Sequence, residues 1–165
     1  MIFRFISAVA LAALLGTSEN ITSSWAQTGP AQAVKERVQI MKSLWPEYYL
    51  DMSRAARGEN TDFAAVSAKA AGASEALKKA GLLFTPGSGH DAVPESRAKP
   101  EIWSQKAEFD AALSALITET NAMGEAAKSG NVEAIKAQYA KIGKACAGCH
   151  GGPTKSGGKF RLEEL

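Results

Sequence analysis

The stretch VEAIKAQYAKIGKACAGCH, Val132 to His150, decides the fold. Its apolar positions Val132, Ile135, Tyr139, Ile142, Cys146 and Cys149 alternate in steps of three and four, the spacing of a helix that buries one stripe. The helix begins at Asn131, and the two cysteines continue its stripe. They are therefore expected to face the interior of a helical assembly at its C-terminal end, with His150 directly after them.

Three further stripes lie upstream. Val34, Val38, Met41, Trp45, Tyr48 and Met52 define the first, in which Pro46 predicts a kink or break because proline has no N–H to donate. Phe63, Val66, Ala70, Ala73, Leu77 and Ala80 define the second, opened by a cap in ENTD (59–62) and ended near Gly81. Phe109, Leu113, Leu116, Thr120 and Met123 define the third, which stops near KSGN (128–131). Between the second and third, residues 82–100 carry three prolines and two glycines without a period, so an ordered crossover loop is expected, with Phe84 and Trp103 pinning it to the helices. Short links on either side of one long crossover predict an all-α, antiparallel four-helix bundle.

The length of 165 residues, with 45% hydrophobic and 22% charged side chains, suits one globular domain. Arg4 followed by ISAVALAALL (6–15) and by small residues at Ser24 and Ala26 reads as an export signal cut after Ala26. This divides the chain into a signal peptide, 1–26, and a bundle domain, 27–165. The apolar run is too short to span a membrane, and no stable membrane insertion of the mature chain is expected. Arg4 and Glu19 leave together, so the net charge stays at +2 and nucleic acid is not an expected partner. Export implies an oxidising periplasm, where two thiols would pair unless other chemistry consumes them.

Four fates compete for Cys146 and Cys149. A redox dithiol needs its thiolate at a helix N-terminus, and these cysteines stand at the opposite end. Zinc needs four ligands, and the chain offers only Cys146, Cys149, His150 and His90, with two of them adjacent. His90, in the Gly- and Pro-rich loop, reads better as a solvated side chain. A disulfide across so small a loop would contribute little and gives His150 no role. Haem attachment uses all three residues of CAGCH: the thiols add to the haem vinyl groups and the histidine binds iron.

The stretches KERVQIMKSL (35–44), LFTPGSG (83–89) with AKPEIWSQKAEF (98–109), and YAKIGKACAGCH (139–150) resemble the class II c-type cytochromes, the cytochrome c prime family. That resemblance implies an exported four-helix bundle with one haem c attached near its C-terminus. Arg37 matches an arginine beside the haem propionates, and Met41, one turn on, matches the distal position over the iron. Relatives with an apolar distal residue are five-coordinate and take nitric oxide or carbon monoxide; low-spin relatives carry a methionine that ligates iron. Met41 thus implies the low-spin subgroup: a periplasmic electron-transfer protein with His150 and Met41 on the iron, serving redox partner proteins and turning over no substrate.

The alternatives are a five-coordinate protein that binds nitric oxide or carbon monoxide, with Met41 as core filler, and a haem-free bundle held by a disulfide or metal. Met52 and Met123 read as packing residues, and Tyr139 suits either packing or contact with the haem. The family's dimers form through the first two helices, and both monomer and homodimer remain open for this chain. The family commonly places an aromatic residue and an arginine soon after the histidine. Here GGPTKSGG (151–158) intervenes, so Phe160 and Arg161 are the expected displaced counterparts, Arg161 near the haem, and the insert with Lys155 and Lys159 nearby is an expected mobile flap.

Overall fold

The computed structural model describes residues 29–152 and 157–163. The expected signal peptide, 1–26, and Lys155 of the insert lie outside the described residues. The first rod of the bundle runs through α1 (Pro30–Leu44), a π turn (Trp45–Tyr49) and α2 (Leu50–Ala56). α3 (Phe63–Leu82) forms the second rod. A four-residue α4 (Glu101–Ser104) leads into the third, α5 (Lys106–Lys128), and α6 (Val132–His150) is the fourth.

Local chemistry fixes where these helices start. Pro30 occupies the first turn of α1, where its missing N–H is no loss. The Asp62 carboxylate accepts the Ala65 N–H at 3.0 Å to open α3, and the Asn131 side chain accepts the Ala134 N–H at 3.1 Å to open α6. Each such cap is worth about 1 kcal/mol.

α3 packs on α5, α5 on α6, α6 on α2 and α1 on α3, which closes a ring of four rods. Gly81, late in α3, faces Leu113, early in α5, while Gly124, late in α5, faces Ser67, early in α3, so these two rods run antiparallel. A Cβ on Gly81 would stand 2.5 Å from Leu113 Cδ2, which measures how closely the helices cross. Fully buried Ala70, Ala73 and Ala127 give the same closeness elsewhere in the bundle. Val66, Leu77, Met52, Met123 and Ile135 fill the main core, so the packing role expected of the two methionines is met. Among the described residues there is no strand, only an isolated bridge between Ala98 and Arg161.

The first rod corrects the expected stripe. Instead of breaking at Pro46 it passes through as a π turn, which inserts one extra residue and accommodates the missing N–H. An added residue rotates the following helix face by about 100°. Tyr49 rather than Tyr48 therefore enters the core; Trp45, expected inside, opens the turn and is 53% exposed. The Tyr49 hydroxyl lies 3.1 Å from Thr120 Oγ1, giving a buried phenol a partner on α5.

A second, smaller core of Ala98, Ile102, Phe109 and Phe160 sits under the crossover, with Phe84 and Trp103 packed against it. Phe84 meets Phe109 edge-on at 4.8 Å between ring centroids, and Trp103 Nε1–H donates to the Phe84 carbonyl at 3.2 Å. These contacts carry out the pinning expected of Phe84 and Trp103. α1, the end of α3, the crossover, the start of α5 and the end of α6 all gather at this end of the bundle.

Candidate haem site

α6 stays helical through both cysteines to His150, and Gly151 at φ +83° turns the chain away. That left-handed geometry suits a residue without Cβ. Because the cysteines are three apart on one helix, their sulfurs leave the same face. Cys146 packs, half-buried, against the main core in the cluster that includes Met41, Tyr139 and Leu116; Cys149 packs against the second core beside Phe109 and Phe160. The thiol pair thus spans the junction of the two cores. His150 is exposed at the helix end.

Neither cysteine is paired in a disulfide. Burial pushes the pKa of each upward, and for Cys146 the neighbouring Cys149 adds to the rise. A redox dithiol needs the opposite shift, so its chemistry is disfavoured here. A thiol pKa raised by folding adds stability that is full below the ordinary thiol value of 9.0 and is lost as pH climbs through it toward the folded value. Haem-free protein should accordingly lose urea resistance as pH rises above about 9. The loss should shrink in a variant carrying Cys146→Ala and Cys149→Ala; an equal loss in both proteins would remove the thiols as its cause.

The segment after the insert is a strap laid back on the end of α6, while residues 153–156 of the expected flap lie outside the described residues. The Phe160 N–H donates to the Cys149 carbonyl at 3.4 Å, the Lys99 N–H to the Phe160 carbonyl at 3.1 Å, and the Leu162 N–H to the Arg97 carbonyl at 2.8 Å. Phe160 is buried, 5.4 Å from the Phe109 ring centroid. Lys159 pairs with Glu108 of α5. A Cβ on Gly158 would collide with the Cys149 carbonyl, so only glycine lets the strap seat. Gly158→Ala should lift Phe160 out of the second core at a cost of about 1.5–3 kcal/mol, read by chemical denaturation together with faster amide exchange over residues 157–163. Unchanged exchange there would contradict the packing.

Arg37 is 4% exposed and turned into the crossover. Nη1 donates to the Leu83 carbonyl at 2.9 Å and Ser88 Oγ at 2.7 Å, and Nη2 to the Ser88 carbonyl at 2.5 Å and Ser96 Oγ at 2.8 Å. Its guanidinium carbon lies 4.6 Å from the Phe84 ring centroid. Burial pushes its pKa down to about 10, still far above neutrality, so it remains a cation. Ser88 and Ser96 are fully buried, and Ser96 Oγ also donates to the Ser88 carbonyl at 2.9 Å. These two serines escaped sequence reasoning, because a serine in an aperiodic loop carries no signal of what it will bind.

The other expected residues divide. Met41 is half-buried against the main core, in the same cluster as Cys146. Arg161 is drawn to the crossover by its backbone bridge to Ala98. His90 is exposed, as expected, with Nδ1 2.9 Å from the Ser96 carbonyl.

The donor set fits a covalently held haem. Two unpaired thiols one turn apart stand beside an imidazole, and apolar side chains of two cores flank them. Among the described residues no three His, Cys, Asp or Glu side chains converge.

A four-helix bundle with this motif closing its last helix defines a class II c-type cytochrome. Residues 32–152 match the model of the family described as Cytochrome C', and the chain belongs to that family. It is 32% identical to cytochrome c' of Rubrivivax gelatinosus over 124 residues, covering 73% of this chain and 92% of the relative. Among solved structures it is similar to a ferrous variant of cytochrome c prime from Alcaligenes xylosoxidans with bound NO. That likeness has a TM-score of 0.68 and 22% identity, over 82% of this chain and 97% of the other. A carbon-monoxide-bound variant of the same protein gives 0.68 and 23%, over 81% and 97%. Members of the family carry one covalently attached haem c, and so does this chain.

These findings overturn the expected electron carrier with iron ligated by His150 and Met41, and with it the low-spin methionine-ligated subgroup. The family shown is cytochrome c' itself, and solved proteins of this fold hold nitric oxide or carbon monoxide. A thioether fixed on the iron would occupy the position that such a gas takes. Packing among apolar neighbours, the commoner fate of a methionine at helical spacing, accounts for where Met41 lies.

Proposed function

We propose that this protein is a five-coordinate haem c protein that binds nitric oxide or carbon monoxide. The observation that carries the reading is the free thiol pair on one face at the end of α6, flanked by both cores, in a chain of the cytochrome c' family. In this reading Cys146 and Cys149 supply the two thioether links and His150 the proximal iron ligand. When bound, the haem supplies the iron at which a diatomic gas is held.

The chain's own residues do the remaining work. The α6 helix fixes the separation of the two sulfurs and ties His150 beside them. Met41, Leu116 and Tyr139 pack, half-buried, against the same core as Cys146, and apolar surroundings of this kind admit a small neutral gas more readily than an ion. Arg37 and Arg161 are the cations proposed for the edge of the haem, Arg37 beside a propionate; Arg37 also gives four of its five N–H donors to the crossover. The protein holds the gas and turns nothing over. Export to the periplasm belongs to the same proposal, supported by the reading of residues 1–26 and by the haem c chemistry. A homodimer through the first two helices belongs to the same proposal, supported by the chain's membership of the family. Titrating the reduced protein with carbon monoxide while recording its absorption spectrum tests the function.

A further inference from the structure

Arg37 is the hub of a buried polar network in the crossover. Its guanidinium fork satisfies two carbonyls and two hydroxyls of a loop with no regular secondary structure, and its face stacks over Phe84. No carboxylate balances its charge among the described residues. A buried cation without a counter-ion is costly unless its hydrogen bonds are all made, so the loop and the arginine hold each other in place. The contacts continue beyond it. Ser96 Oγ accepts the Ala98 N–H at 3.1 Å, Lys99 binds the Phe160 carbonyl through its own N–H, and Phe160 returns to the Cys149 carbonyl. Phe84, under the guanidinium, leans on Phe109, and Phe109 leans on Phe160. Through the crossover, α1 is thus tied to the end of α6 where Cys149 and His150 stand. Met41 lies on α1 one turn from Arg37.

We propose that Arg37 is a positioning residue for gas binding: it clamps the crossover between α1 and the haem-bearing end of α6 and so fixes the spacing of the walls on either side of the haem. This rests on the gas-binding reading above. The clamp depends on the planar fork, which presents its two terminal nitrogens to four acceptors at once; a lysine would keep the charge and lose that geometry.

The test uses holoprotein carrying Arg37→Lys and, separately, Ser96→Ala, each checked for wild-type haem content. Carbon monoxide association is followed by stopped flow, and amide exchange is followed over residues 83–98. Both variants should exchange faster across the crossover, and their association rates should shift in the same direction, by about tenfold for Arg37→Lys. A rate within twofold of wild type in Arg37→Lys despite a loosened crossover would show a purely structural role and overturn the proposal. So would an unloosened crossover. Wild-type protein that binds no carbon monoxide would defeat the gas-binding reading, and the positioning role with it, while the exchange data would still report whether the fork holds the loop.

Discussion

Holoprotein produced with Cys146→Ala and Cys149→Ala together is expected to release all of its haem into acidified acetone, where the wild type retains it. The chain has two cysteines and both lie on the inner face of α6, so no other thiol can form a thioether bond. Each single variant should keep one link and remain coloured after extraction, with lower haem content. The fold should survive in all three, because each sulfur is only half-buried and an alanine keeps the helix. Haem that resists extraction from the double variant would place the attachment elsewhere.

His150→Ala should have an effect of similar size at the iron. The imidazole is the one proposed protein ligand, and its loss should remove that ligation and shift the absorption bands, while the porphyrin keeps its iron. Free imidazole added to the variant should take the same position and restore the wild-type spectrum. Both thioether links should persist, so the haem stays on the protein while the spectrum changes. An unaltered spectrum in His150→Ala would exclude it as the ligand.

The fourth helix was legible because every signal in it agrees. Asn131 caps it, the stripe runs in threes and fours, and the cysteines follow the stripe. α3 was equally clear, since Val66, Ala70, Ala73, Leu77 and Ala80 are all buried as their spacing predicts. The first rod departs from its expected stripe at Trp45 and Tyr48, though not at Met52, because a proline tells where an N–H is missing but not whether the chain answers with a kink, a break or a π turn. That one residue of difference decides which of two adjacent tyrosines enters the core. Arg37 could be placed near the functional end, but its partners could not, since they come from a loop about fifty residues away whose shape depends on the arginine itself. The strap was hidden for a related reason: Phe160 finds its place through backbone bonds to Lys99 and Cys149, which no local pattern encodes. Met41 marks a different limit. Its position on α1 was sound, yet a methionine at helical spacing looks the same whether it ligates iron or fills a core.

The open iron position is the central claim, and a spectral comparison of wild type with Met41→Leu, with and without carbon monoxide, tests it most directly. The account predicts high-spin ferric and ferrous spectra in both proteins and a single carbon monoxide bound per haem. A low-spin wild type that refuses carbon monoxide, and that becomes high-spin and gas-binding only in Met41→Leu, would contradict it.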